Sequence, residues 1–159
     1  MQAIMRLVQM SQRLTRSPAW PLARLADGAV RLFFGAVVPG RAQIAPDVFL
    51  HHSGLGVVIN GAAVIEKGCE IGVHVVLGGR APEPGAPHLE PDVIVHAGAR
   101  LIGPIRVGRG AIIAANCVVI GDVPPYSLVA GVPGVIKRRD IDSVRYRSTS
   151  NTTNPECAL

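Results

Sequence analysis

Histidine is the side chain best suited to take and return a proton near neutral pH, and the chain holds five: His51, His52, His74, His88 and His96. His51 and His52 are adjacent, at the head of the segment HHSGLGVVI (51–59). Neighbouring imidazoles either titrate as a coupled pair or, if side-chain directions alternate, face different ways. The other three stand apart: His74 and His96 suit solvated or subunit-contacting positions, and His88 closes the glycine- and proline-rich stretch GGRAPEPGAPH (78–88). Zinc needs a defined ligand set, but His74 and His96 are 22 residues apart and no HxxxxH pair occurs, so no metal is expected. Cys69, Cys117 and Cys157 give no CxxC and no even-numbered disulfide framework, which points to a reducing cytoplasm.

What positions these groups is a repeat. Stepping by six from Ile59 gives Ile65, Ile71, Leu77, Glu83, Leu89, Val95, Leu101, Val107, Ile113 and Val119, ten of the eleven being aliphatic. Val, Ile and Leu number 46 of 159 residues, so roughly three would fall there by chance and the period is physical. Four residues after each anchor comes a small or aliphatic residue, among them Ala63, Cys69, Val75, Val93, Ala99, Ala111 and Cys117. Two inward side chains per six residues, with Gly68, Gly98 and Gly110 at the turns, describe one face of a three-sided solenoid. Three faces make a coil of 18 residues, and coils stack at about 4.8 Å. The lapse at Glu83 marks 78–88 as an excursion, and the nine residues from Leu50 to Ile59 mark a bulge that lifts a side chain out of the wall. A histidine on such a bulge suits a base at a cleft.

The repeat, with HHSGLGVVINGAAVI (51–65), VVLGG (75–79), HAGARLIGPIRVGRG (96–110) and DVPPYSLVAGVPGVIKRR (122–139), resembles the hexapeptide-repeat acyltransferases, in particular the serine O-acetyltransferase-like branch. The resemblance implies an all-β left-handed parallel β-helix over 42–139, preceded by a helical segment 1–41 and followed by a tail 140–159 with partial disorder. It implies an enzyme that moves an acetyl group from acetyl-CoA to a hydroxyl of a small acceptor by direct attack, in a homotrimer. His52 falls on the family's catalytic histidine and His51 is its alternate. Backbone groups near Gly79, Gly103, Ala115, Ala130 and Gly131 would line the coenzyme A groove, with Lys137 and Arg138 near its phosphates. His88 and Arg80 are the candidate acceptor contacts.

Three positions depart from the serine-using pattern. Gln43, His51 and the pair Gly85–Ala86 stand where serine-using relatives carry Asp, Asp and Arg-His. A zwitterion would lack three charged anchors, so a sugar or other small metabolite is expected as acceptor ahead of L-serine. Two alternatives stay open: serine O-acetyltransferase proper, and a solenoid kept as a binding scaffold without catalysis. A zinc hydratase on the same architecture is the weaker rival.

Charge is uneven. Residues 1–41 carry six arginines against Asp27, while 42–136 are net negative, five basic groups facing seven acidic ones. The leading segment reads as two packing helices, about 2–16 and 22–34, with a basic amphipathic contact to an anionic membrane or a partner enzyme as the rival reading. Six aromatics are too few for stacking platforms, which argues against nucleic acid. No apolar stretch reaches the about 20 residues of a membrane span, and no signal-peptide core follows Arg6.

Overall fold

A computed structural model describes residues 2–147. The hexads form strands of two or three residues laid on three flat parallel faces, entered in turn by the chain. The first face holds Gln43–Ile44, Val64–Ile65, His88–Leu89 and Arg106–Val107. On the second lie Phe49–Leu50, Glu70–Ile71, Ile94–Val95, Ile112–Ile113 and Leu128–Ala130. The third holds Val58–Ile59, Val76–Gly78, Arg100–Ile102 and Val118–Val119. This is the left-handed parallel β-helix, about four turns long.

The pairing register shows how the coil is interrupted. Val58 pairs with Val76 and Arg100 with Val118, in each case 18 residues on. Phe49 pairs with Glu70, three residues further than one plain coil, and the excess lies in the turn after His51. Glu70 pairs with Ile94 at 24 residues, the excess being the excursion between Gly78 and His88. All ten aliphatic anchors are at most 3% exposed and fill one continuous core, while Glu83 lies out in the excursion. Cys69 and Cys117 are fully buried in the second inward register. Turns such as those at Gly68 (φ 71°) and Gly98 (φ 73°) need left-handed backbone, which glycine adopts without strain.

Both ends of the stack are closed. Helix α1 (Ala3–Thr15) lies across the first coil, burying Ile4, Met5 and Val8. Its glutamine amides take up the coil's unpaired backbone groups. Gln2 donates to the Leu50 carbonyl and accepts from the Leu50 N–H, Gln9 donates to Ile44, and Gln12 donates to Ala42. Helix α2 (Trp20–Phe34) packs on α1 and ends at Gly35. It begins two residues earlier than the sequence suggests, because Pro21 opens the helix in place of separating it from α1. At the other end Val135–Arg138 reverses direction and pairs antiparallel with Leu128–Ala130.

From there the chain runs back down the edge of the second face. The Ile141 N–H bonds to Tyr126, and Ser143 sits beside Gly110. Arg147 reaches the Gly68 carbonyl and the Asp92 carboxylate, 3.1 and 2.6 Å away. The expected tail is therefore ordered structure through 147, and its remainder, 148–159, lies outside the described residues. This return strap accompanies burial on both sides of the second face: the outward residues Glu70, Ile94 and Ile112 are 8%, 2% and 0% exposed, whereas Val58 on the third face is 41% exposed.

Candidate active site

The bulge after Leu50 puts both adjacent histidines at the corner between the second and third faces. His52 (φ 47°) and Ser53 (φ 58°) adopt left-handed backbone that costs a non-glycine residue about 1 kcal/mol or more. The compensation is local. Gly54 and Gly56 complete the turn, and a Cβ at Gly56 would run into the His74 imidazole, so His74 supports the turn from the next coil.

The two imidazoles are treated differently. His51 Nε2 lies 3.1 Å from Glu70 Oε2, and the Phe49 ring meets its imidazole edge-on at 4.9 Å. Their side chains are only 26% and 10% exposed. Phe49 and Glu70 are register partners, so coil stacking itself delivers the carboxylate to the imidazole. His52 stands exposed on the bulge and makes no side-chain hydrogen bond among the described residues.

Beside this pair lies a pocket of about 250 Å³, lined by His51, His52, Glu70, Ile94, His96 and, from the return strap, Tyr146. Among the described residues Glu70 is the only acidic group in its lining. Partial burial, with His51 close by, holds the His96 pKa below its ordinary 6.5 against the pull of Glu70. No three His, Cys, Asp or Glu groups converge to hold a metal ion among the described residues.

The other expected residues fall in two more places. Ala115, Ala130 and Gly131 climb the same corner as the histidines, several coils higher, and Lys137 and Arg138 sit exposed on the reversed strand beside them. Gly79, Gly103 and Arg80 occupy the opposite edge of the third face. There the sequence reading missed a column: Gly61, Gly79, Gly103 and Gly121 succeed one another coil by coil, leaving that edge without Cβ atoms. Their spacing of 18, 24 and 18 residues was the available signal. Arg80 packs over Gly103, bonded to Glu83 (2.5 Å) and to the Ile120 carbonyl (3.3 Å). His88 is on the first face, held by Glu66 at 2.7 Å, away from the His51–His52 turn. Gly85 and Ala86 lie in the excursion with no charge to offer.

Fold and coil pattern thus define the class, a hexapeptide-repeat left-handed β-helix of the acyltransferase type. Within it the chain is serine-acetyltransferase-like. It is 36% identical over 132 residues to the serine acetyltransferase of Staphylococcus xylosus, covering 82% of this chain and 61% of that one. It is 39% identical over 115 residues to that of Bacillus licheniformis, covering 71% and 53%. Among solved structures it superposes on the serine acetyltransferase of Brucella abortus in complex with coenzyme A with TM-score 0.81 and 29% identity, covering 85% of this chain and 54% of that one. For the Vibrio cholerae serine acetyltransferase the figures are 0.82, 32%, 88% and 55%. The chain therefore spans about half to three fifths of the length of the proteins it matches. No protein-family model matches it.

Proposed function

We propose that the protein is an acetyl-CoA-dependent O-acetyltransferase whose base comes from the His51–His52 turn. The observation that carries this reading is the pair of imidazoles raised on a strained bulge, one free at a corner and the other tied to a buried carboxylate, in a chain similar to serine acetyltransferases over most of its length. His52 takes the proton of the acceptor hydroxyl as its oxygen attacks the thioester carbonyl. The C–S bond then breaks and the imidazolium returns the proton to the departing thiolate. His51, fixed by Glu70, faces the acceptor pocket.

L-serine is the acceptor that the relatives' names favour, ahead of the sugar expected from the sequence. Glu70 offers a carboxylate next to His51, which lessens the charge deficit behind that expectation. A sugar stays the second reading, because Gln43, Gly85 and Ala86 give no charged partner to the rest of a zwitterion.

The chemistry of coenzyme A asks for a narrow groove and positive charge, and the glycine column with Arg80 suits it. That column and the histidine corner flank the third face from opposite edges, so one chain cannot wall both sides of one groove. A homotrimer, setting the histidine corner of one copy against the glycine column of the next, answers this. The test is thiol release from acetyl-CoA with L-serine and a panel of sugars, alongside light scattering. Release with no acceptor, or a stable monomer at working concentration, would overturn the respective parts.

A further inference from the structure

Helix α2 carries its apolar residues the wrong way round. It buries Ala23, Ala26 and Val30, yet exposes Leu22, Leu25, Leu32 and Phe33 at 52%, 70%, 79% and 75%. With Ala29 these fall at i, i+3, i+7, i+10 and i+11, one continuous stripe. Burying large aliphatic and aromatic side chains is what normally docks a helix on its core. Small residues inside and large ones in water mark a face made for a second apolar phase.

Charge indicates which phase. Arg6, Arg13, Arg16, Arg24 and Arg31 on this hairpin are all exposed. The one acid of residues 2–41, Asp27, is turned inward, where it accepts from the Ser11 hydroxyl and the Gly40 N–H. At the start of α2 the Arg24 guanidinium lies over the exposed Trp20 ring, 5.4 Å from its centre. An aromatic ring beside a guanidinium suits the boundary between water and lipid. The 15 residues of α2 rise about 22 Å, and no helix of the described residues is long and apolar enough to cross a membrane.

We propose that the α1–α2 hairpin seats the protein on an anionic phospholipid bilayer, with Leu22, Leu25, Leu32 and Phe33 among the upper acyl chains and the arginines at the headgroup phosphates. The stretch 42–136, which is net negative, then points away from the like-charged surface. This docking does not depend on which acceptor is acetylated.

The experiment is co-sedimentation of the full chain with phosphatidylcholine vesicles and with vesicles holding about 30% phosphatidylglycerol, at low and high salt. The anionic vesicles should bind the protein about thirtyfold more tightly or better, and salt should release it. Arg24→Gln/Arg31→Gln should weaken binding about thirtyfold, from about 1 kcal/mol per charge. Leu25→Ser/Leu32→Ser/Phe33→Ser should abolish it while leaving the melting temperature and acetyl transfer unchanged. Equal binding to both vesicles, no binding, or variants that bind like the parent would overturn the proposal. So would a parent that self-associates through the stripe without binding lipid.

Discussion

Replacing Glu70 with glutamine takes one charge out of the pocket while keeping the size and shape of the side chain. The amide keeps an oxygen where Oε2 now lies 3.1 Å from His51 Nε2, so ring position and packing are preserved. What is lost is the charge assistance. A hydrogen bond to an ionised group contributes about 1.5–3 kcal/mol and a neutral one about 0.5–1.5, a difference of about 1–1.5 kcal/mol, or roughly five- to tenfold in rate. Little solvent discount applies, because the two side chains are only 26% and 10% exposed. Thiol release at saturating acetyl-CoA should therefore show kcat/KM for the acceptor down by about that factor, with KM for acetyl-CoA unchanged. Glu70→Ala should cost about a hundredfold. Imidazole nitrogen resonances provide a readout that a merely structural role would not move: His51 should hold its proton on Nε2 in the parent and lose that preference in Glu70→Ala. A Glu70→Gln protein with the parent's kcat/KM and melting temperature would show that the pair takes no part in the reaction.

His52→Ala should lower turnover by about a hundredfold to ten-thousandfold while acetyl-CoA binding survives; full turnover would pass the role of base to His51. Gly72→Ala should destabilise the fold by about 1–3 kcal/mol in thermal or urea unfolding, since the new Cβ would lie 2.5 Å from the Ala97 nitrogen, in backbone that cannot swing aside. Burial pushes the Cys69 thiol up to about 12, so iodoacetamide at pH 8 should label it only on unfolding. His96 is held below 6.5 when folded, so its contribution to stability is complete above that pH and is lost as pH falls from there toward the lowered value, when only the unfolded chain binds the proton. His96→Gln should flatten the acid side of the stability profile, and an unchanged slope would refute the reading.

The solenoid was legible because a six-residue period leaves no other way to bury Ile59, Ile65 and their successors, and its two interruptions announced themselves as a nine-residue step and a lost anchor. The bulge that lifts His51 and His52 could be read the same way. Glu70 could not. It occupies an outward position, where sequence periodicity expects only solvent, and its burial depends on stacking under Ile94 and on the return of the chain after residue 140. The same return explains why Ile94 and Ile112 are apolar on a nominally outer face. His88 closes the excursion in the sequence, and only the coil geometry puts it on the first face. The direction of α2 was equally hidden: its wheel has two apolar stripes, and nothing in the sequence says that the alanines are the ones turned inward.

A stack of parallel coils has no natural last member. Each coil presents the next with a row of open backbone groups, the same template that lets cross-β assemblies grow without limit. Here growth is terminated at one end by a strand run backwards and at the other by the amides of Gln2, Gln9 and Gln12, which answer the first coil's open backbone groups. Those amides belong to the hairpin that bears the exposed leucine stripe, so a pull on that hairpin would uncap the stack. A chain that lost hold of α1 would be left with an edge ready to recruit copies of itself, and the helix that limits its length is also its guard against polymerisation.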